Sequence, residues 1–555
     1  MPRIGRSVAL TIALTGLVLS CAKMGNPPGG PEDIQGPQVV KTFPEPDAVR
    51  VPRKTEARIR FDEAVNRRAV ENSIFLSPDP RDRLQFRWHG NELIVRYLDS
   101  LAPEQTYEII LGSQAQDIRG NPIGRPFSLA FSTGDHIDQG RIWGQVVGEE
   151  RPQSIHLWAY VLGDSAPPNP QIDRPAYRTQ PDASGSFYFS HLRAATYRVF
   201  AVSDVGLDGL WNPPTDRIGV PPCDVVVTDS SQSYLSFQLS LCDTSSLQIR
   251  GVIARDERQL DVRFSRPISA TPRFSLENLL GDTVSILAAF ENSMDSICWQ
   301  LAAERPMTKG KWRLTTVLPE MDSLPSKTFV DTVMVHGLSD TTRPNIAKQR
   351  PLSRGWLVDP PSSFEFYFSE AIRPNDSIAG FSLRSDWPGD TLFLHSQWSG
   401  AAHLSLISSQ PLSRGRSYTV AFNAAAFSDF SGNRFGDTIS AFTFPVLPSD
   451  SLGSLSGILN DLDSSQHVLY ARSHPARQLV RTLKNVLPGE FLLEDLPAGS
   501  YTLEVLRDRD GSGDFSPGSV IPWRYAESFW IPQDTLSVRP RWDRGGILLN
   551  FPTSQ

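Results

Sequence analysis

The chain has 555 residues and a nearly balanced charge, with 54 Lys and Arg against 61 Asp and Glu for a net charge of −7. This balance argues against binding to a nucleic-acid backbone, because such domains carry a basic face and a high pI. Proline makes up 45 residues, which disfavours long helices, while 39% hydrophobic residues suffice for packed cores. At roughly 150 residues per domain the length predicts about four domains, which we expect to be β-rich and extracytoplasmic.

Residues 1–21 have the pattern of a secretory signal that ends in a cysteine. Two arginines precede an apolar stretch, Val8–Leu19, that is short for a membrane-spanning helix, which needs about 20 residues. The segment Val18-Leu19-Ser20-Cys21 resembles a bacterial lipobox, in which the cysteine is acylated and becomes the mature N-terminus. The alternative is an ordinary signal peptide with a chance cysteine. We expect Cys21 to anchor the protein by lipid in the bacterial outer membrane.

Residues 22–36 are rich in Pro, Gly and polar side chains, which cannot bury enough surface to fold. They therefore predict a flexible tether between the anchor and the first domain. The tether lacks an acidic run directly after Cys21, a run that is associated with export to the outer face in Bacteroidetes-type lipoproteins. The sequence leaves open whether the anchored protein faces the periplasm or the cell surface.

A first kind of repeat contains a strand that alternates into phenylalanine and ends in a polar pair. It occurs at Ala57–Val65, at Leu260–Ile268 and at Phe364–Ile372. The outer two copies continue to an Asp-x-x-Gly-Asn turn, Asp117–Asn121 and Asp429–Asn433, where Gly supplies positive φ and Asp bonds backbone amides. This pattern resembles the bacterial Ig-like domain of the S-layer (SbsA) type.

The resemblance implies Ig-like β-sandwich domains at 37–135 and 341–447, and a divergent one at 246–340 that lacks the Asp-x-x-Gly-Asn turn. The tether motif Gly29-Gly30-Pro31-Glu32-Asp33 is similar to a Bacteroidetes lipoprotein family in which such a segment precedes this domain. The acidic pair Asp62-Glu63 either caps its strand or forms a site, and capping is the more frequent role.

A second kind of repeat aligns without gaps at Gly185–Tyr197 and Gly489–Tyr501. Its alternating apolar residues predict a strand with one buried face, followed by a turn and a second strand. The pattern resembles the transthyretin-like or carboxypeptidase-regulatory-like β-sandwich, with the signature Gly-x-Phe-x-Phe-x-x-Leu-x-Ala-Gly-x-Tyr. The resemblance implies domains at 136–245 and 448–555. The predicted fold is thus all-β, a string of about five β-sandwich domains.

An Asp- and Gly-rich loop follows the second copy of this repeat and resembles the first half of an EF-hand calcium loop. The candidate Ca²⁺ ligands are Asp508, Asp510, Ser512 and Asp514. Position 12 of the loop is Ser519 rather than Glu, so the bidentate ligand is missing unless Glu527 supplies it. The equivalent loop of the first copy, Asp204–Asn212, retains only part of the set. The alternative is a hairpin loop capped by its own side chains.

Three further cysteines follow Cys21. Cys223 and Cys242 flank a segment of alternating apolar residues, and the facing ends of a hairpin could meet within disulfide range in an oxidising compartment. The alternative is two buried thiols. Cys298 is expected to be a small core residue.

No catalytic motif is recognisable in the sequence. The nine histidines show no zinc-ligand spacing, and both the Gly-x-Ser-x-Gly elbow and a Gly-Lys-Ser/Thr phosphate loop are missing. A hydrolase whose triad assembles only in space stays open as an alternative, although we expect no enzyme. Trp211 and Trp523, in or just after the two Asp-Gly loops, are candidate sugar-stacking residues, although tryptophans of sandwiches are more often core or edge residues.

The leading functional prediction is a non-catalytic, lipid-anchored cell-envelope protein that acts as a spacer or protein-interaction scaffold. The alternative is a surface carbohydrate- or peptide-binding protein, stabilised by Ca²⁺. The expected partners are the membrane, through the lipid anchor, and an envelope protein or glycan. Nucleic acid is not expected as a partner, and no cofactor is expected apart from the candidate Ca²⁺.

Overall fold

The computed structural model describes residues 34–78, 84–163, 166–213, 215–229, 232–241, 247–268, 270–319, 326–352, 355–373, 380–387, 392–436 and 441–552. The predicted signal, Cys21 and most of the predicted tether therefore lie outside the described residues. Within the described part of the chain, no helix has the length and apolar character needed to cross a membrane.

Strands dominate the described chain, and their sheets follow one another in five groups that we number domains 1 to 5. The groups fall within the predicted ranges 37–135, 136–245, 246–340, 341–447 and 448–555. The all-β, multidomain fold class predicted from the repeats is confirmed.

Domain 1 is a sandwich of two sheets. Its strands are β1 (Val39–Phe43), β2 (Ala57–Phe61), β3 (Ile74–Ser77), β4 (Leu84–His89), β5 (Glu92–Tyr97), β6 (Thr106–Leu111) and β7 (Phe127–Ser132), with the helix α1 (Arg67–Asn72) after β2. The sheet orders are β1-β2-β5-β4 and β3-β6-β7. Side chains along β2 alternate between buried and exposed, as the sequence period predicted, and the buried ones form the core between the sheets.

Domain 2 has a different strand order. Its strands are β8 (Gly140–Val147), β9 (His156–Leu162), β10 (Tyr177–Thr179), β11 (Ser186–Leu192), β12 (Ala195–Val202), β13 (Arg217–Gly219), β14 (Val225–Val227), β15 (Gln232–Gln238) and β16 (Ser240–Leu241), with a 3₁₀ turn at Pro152–Ser154. One sheet has the order β11-β8-β15, and the other has the order β10-β9-β12-β13-β16 with β14 also paired to β12. In β8–β15 the two strands run parallel.

Domain 3 is a sandwich of two four-stranded sheets. Its strands are β17 (Ile249–Ala254), β18 (Gln259–Phe264), β19 (Arg273–Asn278), β20 (Thr283–Val284), β21 (Ile286–Asn292), β22 (Asp295–Ala303), β23 (Gly310–Leu318) and β24 (Lys327–Val335). The sheet orders are β17-β18-β22-β21 and β20-β19-β23-β24.

Domain 4 resembles domain 1 in its strand order. Its strands are β25 (Ile346–Arg350), β26 (Ser363–Phe368), β27 (Ile372–Arg373), β28 (Phe381–Ser385), β29 (Leu394–Trp398), β30 (His403–Ser408), β31 (Ser417–Phe422), β32 (Ser428–Asp429) and β33 (Ala441–Pro445), with a 3₁₀ turn at Ala424–Ala426. The orders are β25-β26-β30-β29 and β28-β31-β33, and β27 pairs with β32.

Domain 5 repeats the arrangement of domain 2. Its strands are β34 (Leu452–Asn460), β35 (Gln466–Ser473), β36 (Leu479–Val486), β37 (Gly489–Pro497), β38 (Gly499–Asp508), β39 (Phe529–Trp530), β40 (Leu536–Val538) and β41 (Asp543–Asn550), preceded by a 3₁₀ turn at Ser449–Ser451. The orders are β37-β34-β41 and β36-β35-β38-β39, with β40 also paired to β38. In β34–β41 the strands again run parallel.

Domains 1, 3 and 4 share one capping contact at the end of their second strand. A backbone N–H near the start of each domain donates to the polar residue after that strand, to Asp62 in domain 1, Ser265 in domain 3 and Ser369 in domain 4. The same first-sheet order and the same cap indicate that domain 3 is built like its two relatives. Asp62 therefore caps its strand pair, which is the more frequent of the two roles considered for the acidic pair.

The Asp-x-x-Gly-Asn turns form as the sequence predicted. Oδ1 of Asp117 accepts hydrogen bonds from the N–H groups of Arg119 (2.7 Å) and Asn121 (2.8 Å), and Asp429 accepts equivalent bonds in domain 4. Gly120, within the first turn, has a φ of 95°, which an L side chain rarely adopts.

Only one cysteine of the predicted disulfide lies within the described residues. Cys223 is half-buried beside the core of domain 2, and Cys242 lies outside the described residues. The bond between them stays a prediction. Cys298 is buried in β22, in the position expected of a core residue.

Candidate metal centre and the interface beside it

The candidate calcium loop connects β38 to β39 in domain 5. β38 ends at Asp508, whose side chain is only 5% exposed, and the chain then turns through Gly511 and Gly513, both with positive φ. The hydroxyl of Tyr470 donates to the carbonyl of Gly513 (3.1 Å), which ties the loop to the sheet beneath it. Strand pairing and a buried carboxylate thus determine where the loop begins.

Three carboxylates converge in this loop. Asp508, Asp510 and Glu527 each offer one oxygen, and these oxygens all lie within 4.8 Å of one another. Glu527 comes from the far end of the loop, where Oε1 accepts from the N–H of Arg509 (2.7 Å) and Oε2 from that of Ser516 (3.0 Å). The structure therefore places Glu527 where the sequence lacked an acidic ligand at position 12.

One oxygen of this cluster has no hydrogen-bond partner. Oδ2 of Asp508 accepts from the N–H of Gly513 (2.9 Å), whereas Oδ1 is buried and unpartnered. An unsatisfied buried carboxylate oxygen costs about 1–3 kcal/mol or more. Hard oxygen ligands of this kind suit Ca²⁺, and a cation bound among the three carboxylates would supply the missing partner.

The other two predicted ligands, Ser512 and Asp514, are joined to each other by a hydrogen bond. The hydroxyl of Ser512 donates to the backbone carbonyl of Asp514 (2.9 Å), and the carboxylate of Asp514 is not part of the converging group. The hydroxyl of Ser516 donates to Oδ2 of Asp510 (2.5 Å). Hydrogen bonds from Ser516 and Ser512 lower the pKa of Asp510 to about 2, so that this ligand stays ionised.

The equivalent loop in domain 2 is satisfied by its own backbone. The two carboxylate oxygens of Asp204 accept from the N–H groups of Asp208 (3.3 Å) and Gly209 (2.9 Å). The two carboxylate oxygens of Asp216 accept from the N–H groups of Val205 (3.2 Å) and Asn212 (2.9 Å). This loop therefore matches the self-capped alternative, whereas the loop in domain 5 leaves one oxygen unsatisfied.

The same loop of domain 5 contacts domain 2, which lies more than 250 residues earlier in the chain. The guanidinium of Arg198 lies 4.1 Å from the ring centre of Trp523 and forms a bidentate pair with Asp224, with both bonds at 2.7 Å. The hydroxyl of Tyr525 donates to the same Asp224 carboxylate (2.7 Å). A cation–π contact in a partly desolvated site contributes about 2 kcal/mol.

Apolar and backbone contacts complete this interface. Val520 and Trp523 pack against a buried, mainly aromatic cluster of domain 2; its members are Trp158, Tyr160, Phe200, Val202, Trp211 and Ile218. The N–H of Ala526 donates to the carbonyl of Pro221 (3.1 Å), and the N–H of Phe529 donates to the hydroxyl of Ser236 (3.1 Å). The last domain is thus docked on the second one.

Trp211 and Trp523 are not the sugar platforms that were considered from the sequence. Trp211 is 1% exposed, because it belongs to the core under the interface, and its indole N–H donates to the carbonyl of Asp216 (3.1 Å). Trp523 is half-buried between Arg198 and Phe200. Sequence position alone could not separate these roles, because the partner surface is remote in the chain.

A groove of about 580 Å³ runs between domains 2 and 5 on another side of the interface. Aromatic residues of both domains line it, among them Trp143, Tyr188 and Trp530, and Tyr188 is 65% exposed. Polar side chains of Gln145 and Arg544 share the lining. No sequence motif marked this groove, since its two walls belong to different domains.

Comparison with known proteins identifies two of the domains. The family of bacterial Ig-like domains matches residues 33–133 and 340–446, which correspond to domains 1 and 4. No curated protein matches the chain.

Several solved structures match the chain at low similarity. Domains 1–6 of the surface layer protein SbsC are 10% identical over 90% of this chain and 67% of that chain, with a TM-score of 0.16. An L,D-transpeptidase from Mycobacterium smegmatis is 11% identical over 38% and 91%, with a TM-score of 0.16. A three-Ig fragment of titin, I67–I69, is 10% identical over 55% and 99%, with a TM-score of 0.12. The chain spans about two thirds of the surface layer structure, and likenesses this weak carry no functional argument.

Proposed function

We propose that this protein is a lipid-anchored, non-catalytic scaffold of the bacterial cell envelope, in which Ca²⁺ holds the last domain in the form that docks on the second. The observation that carries the proposal is that one loop, 508–529, contains both the carboxylate cluster and the residues of domain 5 that bond to Arg198, Asp224 and Pro221. Ion binding and domain docking therefore act on the same segment.

A scaffold role is favoured over a spacer role by the contact between domains 2 and 5. A spacer gains reach from domains that touch only their neighbours in sequence, whereas here the fifth domain folds back on the second. The divergent domain 3 and the Ig-like domain 4 make up the intervening chain. The closed arrangement presents loops of several domains together, which suits protein interaction.

The anchor is supported by the sequence around Cys21, which resembles a lipobox and precedes a Pro- and Gly-rich segment. Labelling cells with palmitate tests it directly. We expect the wild-type protein to incorporate label and the Cys21→Ala variant to incorporate none. Absence of label from both proteins would overturn the anchor.

Thermal unfolding of the mature chain with and without Ca²⁺ tests the role of the loop. At a free Ca²⁺ concentration of about 100 times the dissociation constant, we expect domain 5 to gain about 2.7 kcal/mol. Glu527→Gln and Asp510→Asn should each reduce this gain, while Asp514→Asn, which removes an acidic side chain outside the converging group, should preserve it. A stability that does not respond to Ca²⁺ in the wild-type protein contradicts the proposal.

A carbohydrate-binding role is the second candidate, and the groove between domains 2 and 5 favours it. Its exposed Tyr188 and half-buried Trp143 offer aromatic faces next to the polar Gln145 and Arg544, a combination that suits sugar rings and their hydroxyls. A glycan array with the wild-type protein and a Tyr188→Ala variant tests it. Binding that Tyr188→Ala abolishes supports this role, and an array without signal removes it.

A further inference from the structure

A second group of carboxylates lies at the joint between domains 3 and 4, far from the loop of domain 5. Asp340 precedes the first strand of domain 4, Glu370 lies between β26 and β27, and Asp429 ends β32. Each offers one oxygen, and the three oxygens lie within 4.8 Å of one another. Three segments that are distant in sequence therefore bring negative charge to one place.

Glu370 supplies an observation that is independent of this clustering. Its side chain is only 3% exposed, and Oε1 has no hydrogen-bond partner, whereas Oε2 accepts from Nε2 of Gln259 (2.6 Å). A buried, unpartnered carboxylate oxygen beside two further carboxylates is unfavourable in the absence of a cation. The site is thus incomplete with protein groups alone.

The charges around Glu370 are mostly of the same sign. Burial, together with the negative charges of Asp340 and Asp429, raises the pKa of Glu370 to about 7. Burial also raises the pKa of Asp256 in domain 3, with a further contribution from Asp340. Arg255 is the cation that opposes them, and its Nε is already bonded to Asp261 (2.8 Å).

The remaining contacts hold the carboxylates in place without neutralising them. Asp429 accepts hydrogen bonds from the N–H of Ser431 (2.8 Å) and from the backbone and side chain of Asn433 (both 2.8 Å). Oδ1 of Asp340 accepts from the N–H of Thr342 (2.9 Å), and the side chain of Asn433 also donates to the Asp340 carbonyl (3.1 Å). The ligand oxygens are therefore preorganised by neutral donors.

We propose that Asp340, Glu370 and Asp429 form a second divalent-cation site, of the Ca²⁺ type, which stabilises the joint between domains 3 and 4. An all-oxygen carboxylate set from three segments suits Ca²⁺, which accepts irregular geometry, better than Mg²⁺, which requires a near-ideal octahedron, or Zn²⁺, which favours nitrogen and sulfur. Gln259 couples the site to domain 3, because its amide donates to Asp340 (2.9 Å) as well as to Glu370. A bound cation would fix this joint through both domains.

Calorimetric titration of the mature chain with Ca²⁺, extended into the millimolar range in which extracellular modules bind, tests the proposal. The background variant Asp510→Asn/Glu527→Gln removes the loop cluster of domain 5, so that the remaining binding reports on the joint. We expect two Ca²⁺ per wild-type chain, one in the background variant, and none when Glu370→Gln is added. Glu291→Gln, which removes an exposed carboxylate of β21, is the matched control and should leave one.

The two sites fail in distinguishable ways. If the loop of domain 5 binds no Ca²⁺, the wild-type protein binds one ion and Glu370→Gln alone abolishes it. Binding that persists in the background variant after Glu370→Gln overturns the joint site, as does a background variant that binds none. Circular dichroism of each variant verifies folding, and Glu370→Gln should fold at least as well as wild type without Ca²⁺, since it removes a buried charge.

Discussion

At the scale of single residues, domain 5 contains a buried ionic network of Asp461, Arg507 and His467. The carboxylate of Asp461 is fully buried and accepts from Nε (2.7 Å) and Nη2 (2.6 Å) of Arg507 and from Nε2 of His467 (2.7 Å). Burial by itself would raise the pKa of Asp461, but the hydrogen bonds, first from Arg507, hold it below its ordinary value. The charge is therefore kept by partners that only the folded domain provides.

Asp461→Asn should destabilise domain 5 by about 3–5 kcal/mol, because it leaves the Arg507 guanidinium buried without its counter-ion. Hydrogen exchange of the amides in β35 and β38, which flank this network, measures the local loss of stability. Asp534→Asn, at an exposed position, is the control and should leave exchange unchanged. Unaltered protection of these amides in Asp461→Asn would show that the Asp461–Arg507 pair makes no net contribution to the stability of domain 5.

His156 predicts how the protein responds to acid. It is buried, its ring contacts that of Phe75 in domain 1 at 5.8 Å, and burial, with the charge of Arg178, lowers its pKa to about 4. Below about pH 6.5 the imidazole of His156 is protonated in the unfolded chain but stays neutral in the folded protein. The free energy of unfolding therefore falls as the pH drops from about 6.5 to about 4, by up to about 3 kcal/mol.

The measurement for His156 is the melting temperature as a function of pH. His156→Gln, which does not titrate, should flatten the decline between pH 6.5 and 4 in part, while His89→Gln, at an exposed position, should not alter it. An unchanged slope in His156→Gln would assign the acid sensitivity to other groups.

At the scale of strands, domains 2 and 5 each begin with a strand that carries a Gly-x-x-x-Gly segment, Gly140–Gly144 and Gly453–Gly457, and packing explains the spacing. A Cβ added to Gly144 would lie 1.8 Å from the carbonyl oxygen of Leu235, and one added to Gly457 would lie 2.0 Å from that of Ile547. Both glycines face the parallel strand that pairs with the first strand of their domain. The sequence repeat thus records a close approach of two backbones.

Gly457→Ala should destabilise domain 5 by about 1–3 kcal/mol, because β41 must move away from β34 to accept the methyl group. Chemical denaturation, followed together with hydrogen exchange of β41, measures this. Gly251→Ala, in a strand with open space at the same atom, should have a small effect. Equal effects of the two substitutions would refute the steric explanation.

At the scale of the whole molecule, the contact between domains 2 and 5 determines the shape of the chain. Arg198 is its centre, since it pairs with Asp224 and stacks on Trp523. In sequence, domains 2 and 5 are joined only through domains 3 and 4, and without this contact they would be free to separate. Neighbouring domains meet through local contacts such as the hydrogen bond from Ser190 to Glu108 (2.7 Å).

A double variant, Arg198→Ala/Trp523→Ala, should open the molecule. It removes the cation–π contact and leaves Asp224 without its bidentate partner. Small-angle X-ray scattering should show a larger radius of gyration, with Arg193→Ala, at an exposed position in the same domain, as the control. A radius equal to that of the wild-type protein would mean that other contacts suffice to hold the two domains together.

The sequence by itself determined the all-β, multidomain class, and it predicted the loops that hold the candidate ligands. Period-two alternation, the Asp-x-x-Gly-Asn turns and the Gly-spaced strand starts are local signals, since each depends on residues a few positions apart. Asp508 and Asp510 were found in this way, because they sit two residues apart in one loop.

Only the tertiary structure decided what depends on residues distant in the chain. Glu527 joins Asp508 and Asp510 because the 20-residue loop folds back. Asp340, Glu370 and Asp429 meet because the segment between β24 and β25 and the ends of two strands share one joint. The burial of Trp211 and the docking of domain 5 on domain 2 also depend on residues that are distant in sequence. Such contacts depend on the packing of one element on another, and no local pattern of residues records them.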